Sequence, residues 1–371
     1  MLQPLMYGRM GVWECGGRKK GSHLPTRPYP HTRIIFLIAV LLAGCETVVD
    51  VPVPPHESQL VAQSFFSPGS PWSVRVTHSV GYTSPDRPGL IDDATVEIWA
   101  NDQLVERLPR SNAGTYVSQA ALPQADTRYT VRIAAPGYTT TEGHDALPSP
   151  VPVTHFQETV VQDGADTNAQ RRILNLRITL DDLADEDNFY GLGILQGRWI
   201  EDRQSGTVTL LPPSLFGFES NDPVFGESAF AFLDTEKSYY REAFFSDDLF
   251  AGRTHTLDLD IQYDATPPDA QVIVRRVFTV IVLSISEDFF RYLKTASNQS
   301  LTNENPFAEP LRVHSNMTNG FGVFAGFQHR AFPLSVDSVG TAPITSADLC
   351  RLAGLTHPIC QILPPTPGFQ E

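Results

Sequence analysis

The sequence predicts a mainly β fold: a small N-terminal sandwich, then a larger β-rich domain with one helix near its C-terminal end. Three observations lead there. Apolar and polar residues alternate in short runs across residues 59–148, the period of half-buried strands. Turn-forming residues break those runs at the ~8–12-residue spacing of an antiparallel sandwich. One clear helical stripe stands out, over residues 287–300.

Taken in order, the chain opens with a segment not expected to join the fold. Ile34–Leu42 reads IIFLIAVLL behind Arg27, His31 and Arg33. As helix those residues rise about 13–14 Å, against a hydrocarbon core of ~30 Å. That is too short to span a bilayer and fits the apolar region of a signal peptide. The run ends in Leu42-Ala43-Gly44-Cys45, which is similar to the bacterial lipobox: small residues admit the peptidase and the thiol takes the lipid. Residues 1–44 are therefore expected to be a signal peptide, with residues 1 to about 25 read as a start set too far upstream. Residues 45–58, rich in proline, are expected to be a tether lipidated at Cys45.

Residues 59–148 supply the sandwich. Trp72, Val74 and Val76 alternate with Ser73, Arg75 and Thr77; Thr95–Trp99 follows, then Asn101-Asp102 as a turn and Leu104–Leu108. Two further strands are expected around Tyr116 and over Arg128–Ile133. The pattern is similar to the immunoglobulin-like or transthyretin-like modules of exported proteins, with Tyr116 and Tyr129 as core or corner aromatics. Leu147-Pro-Ser-Pro-Val-Pro152 marks a boundary, because proline cannot donate to a ladder.

The larger domain is expected over residues 149–361. Alternation over Ile173–Leu180, and apolar β-branched runs at Phe189–Ile194 and Gln271–Ser286, predict long strands. Residues 201–268, rich in Pro, Gly, Asp and Phe, read as long loops. Their aromatics, among them Phe216, Phe218, Phe225, Phe230, Phe232, Tyr239, Tyr240, Phe244, Phe245 and Phe250, are either core or a binding surface. Ser286 is a good N-cap, with Glu287 and Asp288 in the first turn and Phe289, Leu293 and Ala296 on one stripe. The proline-rich tail, 362–371, is expected to fray.

Charge narrows the partners. The chain carries 27 Lys/Arg and 42 Asp/Glu, a net charge of −15; six of those cations and one acid lie in residues 1–44, leaving −20 from Cys45 onward. Such a surface repels phosphate backbones and disfavours nucleic acid. Cys350 and Cys360 remain as a lone pair. Outside the cytoplasm they are expected to form a disulfide, contributing roughly 2–3 kcal/mol; two free buried thiols are the alternative.

Catalytic signatures are sparse. No G-x-S-x-G elbow occurs after Cys45. Acidic pairs such as Asp181-Asp182, Asp185-Glu186-Asp187 and Asp247-Asp248 are frequent and carry little information. The Asp181–Asp187 run reads as a solvated turn, or as a calcium loop without the glycine and distal Glu of an EF-hand. His144, His155, His255, His314 and His329 show no metal-ligand spacing. No metal, cofactor or catalytic residue is expected.

One segment carries a resemblance. Residues 286–327 pair an aromatic-bearing helix with Asn305-Pro306-Phe307-Ala-Glu309-Pro310, then Asn316, then Gly320-Phe-Gly322-Val-Phe324. Together with the lipobox cysteine, ATVEIW, GTYVS and RYTVRI, this resembles a family of Bacteroidetes lipoproteins known as domain of unknown function 4249. By residue chemistry the segment reads as packing: Asn305-Pro306 opens a turn, and the glycines permit a bulge or close backbone approach. The resemblance implies an outer-membrane lipoprotein, often found with SusC-type TonB-dependent transporters. The expected function is a non-enzymatic accessory partner of such a transporter for an unknown nutrient ligand. An exported hydrolase with an unrecognised site, or an adhesive or structural surface protein, is the alternative.

Overall fold

The computed structural model describes residues 56–335 apart from 82–83, 85, 163–170, 185, 227–229, 234–238, 268–269 and 303–310. The chain divides into two units, Met1–Pro54 and Pro55–Glu371, and the described residues belong to the second. The expected lipobox, Leu42, Ala43, Gly44 and Cys45, the cysteine pair Cys350 and Cys360, and Asn305, Pro306, Phe307, Glu309 and Pro310 lie outside the described residues.

Strands dominate. In chain order they are β1 (Leu60–Phe66), β2 (Ser73–His78), β3 (Thr95–Ala100), β4 (Gln103–Leu108), β5 (Arg110–Asn112), β6 (Thr115–Val117), β7 (Arg128–Ala134), β8 (Thr141–Ala146), β9 (Val153–Gln162) and β10 (Arg171–Asp181). There follow β11 (Phe189–Asp202), β12 (Val208–Phe216), β13 (Phe218–Glu219), β14 (Phe230–Leu233), β15 (Tyr239–Ser246), β16 (Thr254–Asp264) and β17 (Val272–Ile285). The helix α1 (Glu287–Thr302), β18 (Met317–Thr318) and β19 (Phe321–Ser335) close the described chain. The fold is mainly β with a single C-terminal helix among the described residues, as the alternation and the lone helical stripe predict.

Two sheets form. The smaller runs β18-β8-β7-β3-β4; the larger, of 14 strands, runs β5-β6-β2-β1-β19-β17-β11-β15-β13-β16-β10-β9, with β12 on β11 and β14 on β15. The N-terminal sandwich packs the small sheet on the β6-β2-β1 end of the large one. Its core takes Trp72, Val74 and Val76 from one sheet and Val96, Ile98, Val131 and Ile133 from the other, all essentially sealed from solvent. Tyr116 is the corner residue: its hydroxyl donates to the Ile91 carbonyl and accepts the Ala94 N–H, both at 2.9 Å. Met317 and Phe324, from the far end of the chain, complete this core.

The rest of the large sheet curls on itself. Leu174, Leu176 and Ile178 of β10 and Leu257, Leu259 and Ile261 of β16 face Phe278, Val280 and Val282 of β17 across one core. The outer strand β9 comes back beside β19, where Phe156 stacks on Phe332 at 4.4 Å and the Arg330 guanidinium donates to the Val153 carbonyl. A third core seats α1 on the opposite face of β17 and β19: Phe289 stacks on Phe65 at 4.5 Å and Phe290 on Phe189 at 4.7 Å. Burial of Phe289, Phe290 and Leu293 contributes roughly 1.5–3 kcal/mol each. That exceeds what an isolated helix of this length retains in water, so packing holds it. The Ser286 hydroxyl caps it, accepting the Phe289 N–H at 3.3 Å.

The long loops expected over 201–268 are instead largely strands β12 to β16. Pro212 and Pro213 sit in β12 at a bulge: the register with β11 shifts between Gln196 and Arg198, leaving both prolines opposite Gly197 and outside the regular ladder, where a missing N–H donor is tolerated. The aromatics of this region fill cores: Phe218, Phe225, Phe244, Phe245 and Phe250 are each 5% exposed or less, and Phe216 packs against the same core. The side chains of Phe230, Phe232, Tyr239 and Tyr240 lie outside the described residues.

Candidate functional site

Polar side chains concentrate where sandwich, curled sheet and helix meet, and β18–β19 builds that place. Met317 and Thr318 pair with β8; the chain turns through Asn319 at φ 54° and enters β19. Phe321–Gly326 then pair in parallel with β1, and Phe327–Ser335 pair antiparallel with β17. One strand thus belongs to both halves.

The motif glycines mark where backbones touch. Gly322 has φ +109°, and a Cβ there would lie 1.8 Å from the Ala62 carbonyl oxygen. A Cβ on Gly320 would meet the Leu60 oxygen at 2.7 Å. Phe324 is fully buried and stacks on Phe66 at 4.6 Å. Asn316 brackets it: its Oδ1 accepts the Phe324 N–H at 3.0 Å, and its Nδ2 donates to the Phe324 carbonyl at 2.8 Å. The same amide donates to the His144 carbonyl and to Asp288 Oδ2, both at 3.2 Å. A side chain that imitates a strand satisfies two backbone groups that burial would otherwise leave unpaired.

Charged and hydroxyl groups surround this splice. His314 Nε2 lies 2.7 Å from Asp288 Oδ1. Asp145 accepts the Ser286 hydroxyl at 2.5 Å, the Ala146 N–H at 2.8 Å and the Gly326 N–H at 2.9 Å. A cleft of about 250 Å³ opens beside it, lined among others by Asp145, Glu186, Asp187 and Glu287 with Ser149 and Ser284. This acceptor-rich lining suits donors such as ammonium, guanidinium or sugar hydroxyls.

Burial pushes the Asp145 carboxyl up to about 6, opposed by the Ser286 hydroxyl and the Gly326 and Ala146 amides and aided by the charge on Asp288. The folded value lies above the ordinary ~3.9 of an unfolded Asp, so the folded protein holds this proton more tightly. The stabilisation is fully present below about pH 4 and is lost as pH rises to about 6. Two units correspond to about 3 kcal/mol. Asp145→Asn, which cannot titrate, is therefore expected to be less stable than the parent at pH 4, with the gap shrinking by about that amount by pH 7. Urea unfolding of both proteins at the two pH values checks this; a gap independent of pH contradicts it.

The other acidic residues singled out in the sequence hold loops. Asp182, nearly buried, accepts the Tyr190 hydroxyl at 2.5 Å and the Gly252 N–H at 2.8 Å. Asp247 accepts the Asn188 N–H at 2.9 Å. His255 Nε2 lies 2.9 Å from Asp222 Oδ2, and its ring stacks on Phe250 at 4.8 Å. Burial lowers the His329 imidazole. Among the described residues no three His, Cys, Asp or Glu side chains gather at a common metal-binding point. A second, larger concavity of about 730 Å³ lies on the sandwich beside β4; nothing in the local sequence distinguished it.

Comparison with known proteins gives one family. A family model described as "Domain of unknown function (DUF4249)" matches residues 46–331. No curated protein matches the chain. Among solved structures, a crystal structure of BcpA, the major pilin subunit of Bacillus cereus, matches with 9% identity and a TM-score of 0.18. The match covers 62% of this chain and spans 65% of that one, and likeness at that TM-score carries no argument.

Proposed function

This chain belongs to the DUF4249 family, and on that premise we propose that it is a non-enzymatic lipoprotein of the cell envelope. It is held at the outer membrane through acylated Cys45 and serves as an accessory binding partner of a TonB-dependent nutrient transporter. Apolar run, small residues and cysteine stand in the order that lipoprotein processing requires, and several acyl chains anchor a protein stably where one does not.

The observation that carries the non-enzymatic reading is the wiring of the junction. Ser286, His314, Asp288 and Asp145 are residue types that a hydrolase would use, yet Ser286 caps a helix and donates to Asp145, while His314 pairs with Asp288. A serine nucleophile needs a base free to take and pass on its proton; the Asp145 carboxylate that meets Ser286 also holds the Ala146 and Gly326 N–H groups, and His314 is turned to Asp288 instead of Ser286. The larger of the two concavities, about 730 Å³ against about 250 Å³ at the junction, lies on the edge of the sandwich.

Affinity purification of the tagged, full-length protein from mildly solubilised outer membranes tests the reading. A TonB-dependent transporter is expected in near-stoichiometric amount. Its absence contradicts the partner assignment, and ester or glycoside hydrolysis lost in Ser286→Ala would favour the hydrolase.

A further inference from the structure

This inference rests on the binding-partner reading and names the surface and the kind of segment it takes. β4 is an edge strand: it pairs with β3 and with no other strand among the described residues. The β3–β4 hairpin turns through Asn101 and Asp102, at φ 48° and 61°, so that Ala100 and Gln103 face each other. In a two-residue hairpin that first pair is hydrogen-bonded, and the following residue, Leu104, turns its N–H and C=O away from β3. The register then shifts, with Val105 as the extra residue between Leu104 and Glu106.

Opposite this edge the chain returns through residues 118–124. Glu106 fixes the separation, its carboxylate accepting the N–H of Gln119 at 2.7 Å and of Ala121 at 2.9 Å. Between strand and return lies the open groove of about 730 Å³. Its lining contains no Asp, Glu, Lys, Arg or His. Leu104, Val105 and Leu122 provide apolar surface at 48%, 38% and 44% exposure, and Asn101, Gln103 and Gln124 provide neutral amides.

These features select the occupant. An outward-facing strand edge pairs with main chain in the extended conformation, and folded proteins ordinarily cover or charge such edges. A lining without charge gives an ionised side chain nothing to repay its desolvation, so the segment that fits is uncharged. A second copy of this chain is disfavoured, because each processed copy brings a net charge of −20 from Cys45 onward and like charges repel. Beyond Val105 the edge is closed by Glu106, whose carboxylate is held by the return loop. The free stretch is therefore short.

We infer that the β4 edge and its groove capture a short, extended, uncharged segment of another polypeptide. The segment's main chain pairs with Leu104, and an apolar side chain seats between Leu104 and Leu122.

The test uses the full-length chain and an acetylated, amidated Thr-Val-Thr-Val-Thr-Val peptide carrying a fluorophore, read by anisotropy. Saturable micromolar binding is expected. Leu104→Lys and Leu122→Lys are each expected to weaken it at least tenfold with the far-UV spectrum unchanged; both positions are exposed, so folding is retained. Methylating alternate peptide amide nitrogens is expected to abolish it. The inference is overturned by no saturable binding, by binding indifferent to methylation, or by self-association that Leu104→Lys abolishes, which would make a second copy the occupant. No transporter is present in this assay, so its failure and a failed co-purification are distinguishable.

Discussion

Gly322→Ala is expected to destabilise the protein by about 4 kcal/mol or more, at the severe end of single substitutions. Two costs combine. The backbone at φ +109° is a conformation that side chains with a Cβ rarely adopt. The added Cβ would also lie 1.8 Å from the Ala62 oxygen and 2.7 Å from the Ala62 carbon, and both are backbone atoms of the paired strand β1. No rotamer change relieves such a contact; the strands must part. Because β19 serves both the sandwich and the curled sheet, parting them loosens two cores at once. Gly206→Ala is the control. Its φ is +68° with nothing within 4 Å of the added Cβ, so only conformational strain of about 1–2 kcal/mol applies. Urea unfolding of the two variants separates the terms, and equal losses contradict the close-approach account.

The same splice shows what local sequence can and cannot reveal. The helix was legible because its determinants are neighbours: Ser286 as cap, acids in the first turn, Phe289 and Leu293 one turn apart. The sandwich strands were legible because Trp72, Val74 and Val76 alternate with polar residues and one face is buried. The pairing of Val61 with Phe321 has no local signature, since the partners are far apart in sequence and parallel strands need a long crossover. Asn316 likewise shows itself only through Phe324, whose backbone it brackets. In β16, Leu257, Leu259, Ile261 and Tyr263 are buried and alternate with polar residues, a signal as regular as any in the chain. Surrounding proline, glycine and aspartate obscured it, because composition averaged over residues 201–268 hides a period of two. The groove beside β4 has a different reason for being silent. It forms from an edge and a loop whose residues are individually ordinary, so that only the fold brings Leu104 and Leu122 together.

Replacing residues 1–45 by a cleavable signal peptide that leaves no cysteine is expected to move the protein from the membrane fraction to the soluble one almost completely. Each acyl CH₂ buried in the bilayer contributes about 0.8 kcal/mol, and two or three chains hold where one binds only marginally. Removing the thiol removes all of them at once. No helix among the described residues is long and apolar enough to cross a membrane. Leu104→Lys, by contrast, is expected to leave partition unchanged, because the edge groove and the anchor are separate parts of the chain.

Mass spectrometry of the native protein's first residues bears most directly on the claim that this is a lipid-tethered envelope protein. The account predicts a mature chain starting at Cys45 with acyl chains on that residue. An unmodified Cys45 thiol with residues upstream of it still attached would contradict it.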